Sequence, residues 1–265
     1  MQHGYKLPPP FVCRSASLAD ARSLTSIFIR SFEEDEMSHW IYQYAPAGTA
    51  ERESRIQFAI DFRLPDFKRM LVKRDYHPFV VKDEETDEGV ALANWQVTPP
   101  SQARLRASLA PVFYRNLTFG QTLRSWMYWT YDKISKLVPD WLYKFCRPRR
   151  YPFYQRKQRW FTKVLKNFKD SLQEEDKRLG YWTLTHLGVH PARSGQGIAS
   201  ALLQWGLQKA DLEDRAIYIV ATIAGSKLYA KHGFTKVSSD IYFPGEPGGG
   251  FQELMMRRPR FSERK

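Results

Sequence analysis

Cysteine is nearly missing: Cys13 and Cys146 are the only two in 265 residues. Two thiols cannot make a disulfide framework, and neither lies in a Cys-x-x-Cys or His-rich cluster, so the pattern gives no metal site. The expectation is a reducing compartment, the cytosol, and no metal. Long apolar runs are missing too. The longest charge-free stretches, Gly89 to Ala103 and Ser194 to Gln208, are 15 residues each, and the first contains Pro99-Pro100. A membrane-spanning helix needs roughly 20 apolar residues, so none is expected. Met1 to Pro10 has neither the apolar stretch of a secretory signal nor the Arg/Ser-rich pattern of a transit peptide, and residues 1–10 read as a flexible lead. There is no internal repeat and no low-complexity tract.

Aromatic and basic residues are plentiful. Aromatics make up 15% of the chain and hydrophobic residues 43%, enough to bury a core and to exclude wholesale disorder. The net charge of +13 is unevenly placed: 18 of the 41 basic but only 6 of the 28 acidic residues lie between Thr98 and Gly180, with 16 of the 39 aromatics. The chain is a nearly neutral body with a basic, aromatic segment inside it. Three readings of residues 98–180 stay open. It is a helical lid with Trp126, Trp129, Tyr131 and Ile134 packed on the body, or a cover with aromatic walls over a ligand pocket. The third is contact with nucleic acid or an acidic membrane through Lys144 to Arg150 and Arg156 to Arg159. No nucleic-acid motif accompanies the charge, so nucleic acid is not the expected partner.

Local patterns place the elements. Phe11 to Ser15 reads as a strand, and Leu24, Ile27 and Phe28 share a helical face. A second helix starts near Thr49, a candidate cap, and Pro65 is expected to interrupt or bend it. The runs 79–82 and 90–97 flank a polar turn and read as an antiparallel hairpin. Within the basic segment, Leu117 to Leu137 and Gln155 to Leu172 look helical. Tyr181 to Val189 is a strand, Ile198 to Ala210 a helix, Ala216 to Ala221 a buried strand, Ser226 to Lys231 a short helix and Glu253 to Arg257 a last strand. The order is β-α-α-β-β, insertion, β-α-β-α-β-β.

Between the strand ending at Val189 and the helix opening at Ile198 stands Ser194-Gly-Gln-Gly-Ile-Ala199. Small residues there leave backbone amides facing outward at the positive end of a helix, where an anion such as a pyrophosphate is stabilised. Gly at such a junction also serves plain turn chemistry. About thirty residues on comes Leu228-Tyr229-Ala-Lys-His-Gly233-Phe234.

Together, Val189-His-Pro-Ala-Arg-Ser-Gly195-Gln-Gly197-Ile-Ala and the Tyr229 to Phe234 segment resemble the GNAT superfamily of acetyl-CoA-dependent N-acetyltransferases. The likeness is strong over 181–257 and rests on element order alone over 11–97. Leu202-Leu203-Gln204-Trp205-Gly206 resembles the fungal-type members. The resemblance implies an α/β fold: a GNAT-like mixed, mostly antiparallel sheet flanked by helices, with a long helical insertion between strands 3 and 4. It implies one domain over 11–258 and leaves a basic tail at 259–265.

The resemblance also implies acetyl-CoA as donor and an amine as acceptor, without metal. Leu187, Gly188 and Val189 would pair with the pantetheine arm, with Gly188 marking a bulge that opens the strand. Arg193, Ser194, Gly195, Gln196, Gly197, Ile198 and Ala199 would hold the pyrophosphate, with Thr222 near the cofactor arm. Ser194 stands where the family usually has Gln or Arg, and Arg193 is the candidate to replace that contact. Thr222 stands where many members have Asn. Tyr229 resembles the general acid that protonates the leaving thiolate, and the Leu187 or Val189 amide would stabilise the oxyanion.

The base is less defined. Strand alternation places Thr183 and Thr185 on one face with Leu187 and Val189, and His186 on the other as a satisfied core histidine. Thr185 is then the residue placed to hold a water. Glu33, Glu34 and His39, in the loop after the first helix, and Trp95 are the candidate acceptor-binding residues, although a solvated helix end also explains the acidic run. The reaction expected is direct attack by a primary amine of a small molecule on acetyl-CoA. A non-catalytic acyl-CoA-binding or basic-partner module on the same fold is the alternative.

Overall fold

The computed structural model describes residues 7–73, 75–100, 123, 126–127, 130, 139–146, 150–237, 241–242 and 252–264. Its elements are β1 (Phe11–Ser15), α1 (Ala21–Ser31), α2 (Glu36–Tyr42), α3 (Ala50–Leu71), β2 (Tyr76–Asp83) and β3 (Gly89–Thr98). After them come α4 (Asp140–Cys146), α5 (Tyr151–Ser171), α6 (Glu174–Leu179), β4 (Tyr181–Val189), α7 (Ile198–Leu212), β5 (Ile217–Thr222) and α8 (Ile223–Lys231). The short strands β6 (Thr235–Lys236) and β7 (Ile241–Tyr242) precede β8 (Gln252–Arg258).

The strands form one sheet in the order β1-β2-β3-β4-β5-β8-β6, with β7 also paired to β8. All pairings are antiparallel except β4 with β5. Alternation splits the sheet's side chains between two apolar layers. Ala91, Ala93, Trp95, Trp182, Leu184, Ile217 and Ile219 pack against Leu202, Leu203 and Leu207 of α7 and Tyr229 of α8. On the other face Val80 and Leu92 meet Leu24 and Ile27 of α1 and Phe67 of α3, while Val220 and Met255 meet Met37, Trp40 and Val164.

Three local expectations change. The acidic run after α1 does not simply break the chain: Asp35 accepts from the amide of Met37 at 3.0 Å and so caps α2, a helix the pattern had not suggested. Thr49 does cap α3, accepting from the Arg52 amide at 3.1 Å, but the helix runs on through Pro65 to Leu71. Burial of Ile56, Ile60, Phe67 and Met70 along one side outweighs the hydrogen bond the proline forfeits. The residues read as a basic tail are docked. Arg264 pairs with Asp211, Ser262 Oγ donates to Asp214 at 2.8 Å, and Arg260 reaches Glu175 at 2.8 Å.

The helical region between β3 and β4 includes α4, α5 and α6. The expected helix 117–137 lies almost wholly outside the described residues, as do Trp129, Tyr131 and Ile134 of its stripe. Trp126 is described, and at 63% exposed it does not pack on the body. Phe145 of α4 is 82% exposed. α5 behaves as a packed helix: Phe153 lies 4.9 Å from the Phe58 ring, and Val164 is buried against Met255. No helix among the described residues is long and apolar enough to cross a membrane.

Candidate active site

β4 and β5 run side by side only from Trp182/Ile217 to Leu184/Ile219. Beyond that point β4 continues to Val189 and β5 to Thr222 without pairing, so the sheet opens as a V. The amide of His190 donates to the carbonyl of Val90 at 2.8 Å. Antiparallel hydrogen bonding alternates, so Gly188 is likewise turned to β3, while the N–H and C=O groups of Leu187 and Val189 are turned into the V. Strand groups left open in this way call for a polar partner.

The opening arises from a bulge in β4 at Thr185, not at Gly188. Asn94 faces His186 and Trp95 faces Leu184, which leaves Thr185 unmatched. The extra residue shifts the phase of alternation. Leu184 and Trp182, rather than Thr183 and Thr185, therefore join Leu187 and Val189 on the α7 face. Gly188 pairs in register with Leu92, and a Cβ on it would come within 2.8 Å of Ser31 Oγ, so its smallness serves the approach of α1. The Thr185 hydroxyl accepts from the Asn94 side-chain amide and lies 3.0 Å from His186 Nδ1. It is engaged within the bulge instead of standing ready to hold a water.

His186 does face the other way. Its ring packs 5.0 Å from Phe28 and 5.2 Å from Phe67. Burial first, and then the charge of Arg63, pull its pKa down to about 3, which keeps it neutral.

The loop after β4 leads to α7 with Gly195 at φ +77° and Gly197 at φ +76°. Nothing lies within 4 Å of a Cβ built on either glycine, so the backbone conformation demands them, not crowding. Gly197 supplies no side-chain cap to α7, and the first turn has no acidic residue. The first-turn amides of this 15-residue helix therefore have no side-chain cap, and residues 194–197 in front of them are exposed. Ile198 is buried and anchors the turn; Ala199 is half-buried.

Two side chains assigned to this region are already engaged. Arg193 donates to Asp83 at 2.8 Å and lies over the Phe11 ring, so it props the loop from β2. The hydroxyl of Thr222 accepts from the Gly225 amide at 3.1 Å and caps α8. Tyr229 lies on α8 with its ring buried beside Phe234. Gly225 makes room for it: a Cβ there would stand 3.3 Å from the tyrosine ring. Burial, and behind it the charge of Glu253, push the Tyr229 hydroxyl well above its ordinary range.

The candidate acceptor residues are not brought together. Arg52, itself buried, donates to Glu33 at 2.7 Å and to Glu34, and His39 lies 3.9 Å from Glu34. These carboxylates are occupied by a cation from α3. Trp95 is 0% exposed under α7, on the face away from α2, and so lines no acceptor wall. Two other carboxyls, Asp35 and Glu253, sense each other's charge. Glu253 lies on β8 opposite Thr222, is 4% exposed, and is pushed up to about 8 by burial first and the Asp35 charge second. In the sequence it precedes the apolar run Leu254 to Met256 of β8. Among the described residues no group of three or more His, Cys, Asp or Glu could hold a metal.

A family model described as acetyltransferase (GNAT) domain matches residues 168–236. No curated protein matches the chain. Among solved structures, the chain is similar to one from Corynebacterium glutamicum described as histone acetyltransferase HPA2 and related acetyltransferase. Identity is 18%, with 94% of this chain and 96% of that chain covered and a TM-score of 0.47. It is similar to arylalkylamine N-acetyltransferase 2 from Aedes aegypti (10% identity, 95% and 99% covered, TM-score 0.48). It is also similar to PaiA N-acetyltransferase from Thermoplasma acidophilum in complex with coenzyme A (10%, 94% and 98%, TM-score 0.42). The chain has a GNAT-like fold, and its match to the acetyltransferase family spans the stretch that carries the Gly195 to Gly197 loop and Tyr229.

Proposed function

We propose that the protein is an acetyl-CoA-dependent N-acetyltransferase that acts on a primary amine by direct attack. The observation that carries this reading is the continuity of the open β4 edge, Leu187 to Val189, with the amide cradle at Gly195 to Ala199. An extended amide-bearing arm ending in a pyrophosphate, as in coenzyme A, fits one after the other. The arm pairs with the turned-out groups of Leu187 and Val189, and the phosphates lie on the amides of α7. Those amides, rather than Arg193 or Thr222, do the binding.

The amine attacks the thioester carbonyl at the open end of the V. The amide of Leu187 or Val189 stabilises the oxyanion, and the Tyr229 hydroxyl supplies the proton to the departing thiolate. The high pKa that burial gives Tyr229 keeps it protonated until the thiolate forms. No step needs a metal. The Leu202 to Gly206 segment supports a fungal-type member, and a small amine is the acceptor we favour over a peptide N-terminus.

Two variants test the reading against a non-catalytic acyl-CoA-binding module. Gly197→Glu places a carboxylate among the phosphates and strains a left-handed position; calorimetry should show coenzyme A binding weakened by about tenfold or more, roughly 1.4 kcal/mol. Tyr229→Phe should bind coenzyme A normally and lose turnover by on the order of 10²-fold. Unchanged affinity in the first would remove the phosphate loop, and an unchanged rate in the second would remove Tyr229 from the mechanism.

A further inference from the structure

The steps above give Glu253 no role, yet it has the properties of a working group. It is nearly fully buried, and among the described residues it has no hydrogen-bond or ion-pair partner. A carboxyl kept in that state is costly as a charge, and such groups mark functional sites when they border a cleft. This one lies one strand beyond the V: β8 pairs with β5, the strand that forms one side of the opening, and Glu253 stands opposite Thr222 at the end of it. Its strand neighbour Thr222 caps α8, and α8 carries Tyr229.

The charged groups that face it come from two elements. Tyr229, on α8, feels the charge of Glu253. Asp35, at the start of α2, is felt by Glu253 in turn. Thr222 and Glu253 share a sheet face with Val220 and Met255, where Met37 and Trp40 of α2 close over the sheet. Tyr229 thus feels Glu253 and Glu253 feels Asp35, which brings the three groups into one neighbourhood at the Thr222 end of β5.

We propose that Glu253 accepts the proton of the incoming ammonium group; the inference rests on the acetyltransferase reading. The amine enters as R–NH3+ and gives one proton to the carboxylate. The freed nitrogen lone pair forms the N–C bond to the thioester carbonyl carbon. The C–S bond then breaks, the thiolate takes the Tyr229 proton, and the new amide nitrogen returns its surplus proton to the Tyr229 oxygen. Glu253 releases its own proton to water. One acetyl group has moved and one proton has been released. An acceptor with a pKa near 8 is well matched to this task, since a useful fraction is ionised near neutral pH. Asp35 adds a second negative charge toward which an ammonium is drawn.

The test is the dependence of the defect on the acceptor's own protonation. Full-length wild type, Glu253→Gln and Glu253→Asp are assayed by thiol release from acetyl-CoA, at neutral pH, with a panel of alkylamines and with hydroxylamine, which is largely neutral there. Glu253→Gln should lose alkylamine turnover by about 10²- to 10³-fold while hydroxylamine turnover stays within about threefold. Coenzyme A affinity by calorimetry should not change. Equal losses on both acceptors, or no loss, overturn the proposal and leave the acetyltransferase reading standing. If wild type releases thiol with no acceptor, the acetyltransferase reading falls and takes this one with it. Should Glu253→Gln fail to bind coenzyme A, the same ratio read from Glu253→Asp decides.

Discussion

Gly206→Ala is the sharpest test of how the two halves of the fold are joined. Gly206 lies on α7 directly against the Trp95 ring of β3, and a Cβ there would stand 2.3 Å from both Cε2 and Cζ2 and 2.5 Å from Cδ2. Carbon atoms sit comfortably about 3.5–4.0 Å apart, so the overlap exceeds an ångström against a rigid ring. That ring is fully buried, with Trp205 close by at 6.5 Å, so it has no free direction in which to move. Overpacking of this kind costs about 3 kcal/mol, the upper part of its usual range. Alanine returns about 1 kcal/mol through helix propensity. The net loss is about 2 kcal/mol, which for a chain of this size lowers the thermal midpoint by about 4–8 °C.

Thermal unfolding followed by circular dichroism reads this shift. The companion measurement is the same substitution in a Trp95→Leu background, where the indole atoms are gone. There Gly206→Ala should be neutral or stabilising by up to about 1 kcal/mol, giving a large coupling energy in the double-mutant cycle. An unchanged or raised midpoint in the wild-type background would show that α7 does not lie on Trp95, and steric exclusion would not be what sets a glycine against that ring.

Two further outcomes follow from buried charge. Asp176 is 0% exposed, holds Arg257 at 2.8 Å and accepts from the Tyr218 hydroxyl at 2.6 Å; Asp176→Asn leaves the buried guanidinium with Glu263 alone and should cost about 3 kcal/mol in urea unfolding, a loss that Arg257→Met partly reverses. A cost below about 1 kcal/mol would mean that the network does not hold the C-terminal segment. His186 has a folded pKa of about 3, depressed from its ordinary value of 6.5, so the unfolded chain binds the extra proton between those values and stability is lost as pH falls through that window. From pH 7 to pH 5 the wild type should lose about 2 kcal/mol more than His186→Asn; equal losses would show that His186 is not held neutral.

The legible part of the site was its local part. The Gly195 to Gly197 loop was readable because a left-handed turn before a helix restricts residue type within a few positions, and the structure places both glycines at positive φ. Tyr229 stood out through the resemblance of the segment Tyr229 to Phe234 to the GNAT pattern, and the structure places Gly233 of that segment at positive φ. The face assignment along β4 was not readable, since one unmatched residue at Thr185 reverses every alternation beyond it. The acidic run 33–36 looked like one unit, but Arg52 takes Glu33 and Glu34 while Asp35 caps α2. Which carboxylate is neutralised depends on a cation about twenty residues away.

By itself, then, the sequence determined the α/β class, the order of the main strands and the glycine turn between β4 and α7, because hydrophobic period and turn chemistry act over a few residues. It also located the excess charge in the segment 98–180. Tertiary structure alone decided that β4 and β5 part after Leu184 and Ile219, that Trp95 belongs to the core under Gly206, and that the basic C-terminal residues are tied to Asp211 and Glu175. It also decided that Glu253, distant in sequence from Asp35 and Tyr229, shares their electrostatic surroundings. Burial and Coulomb energy depend on every neighbour in space, and those neighbours are assembled only when the sheet closes.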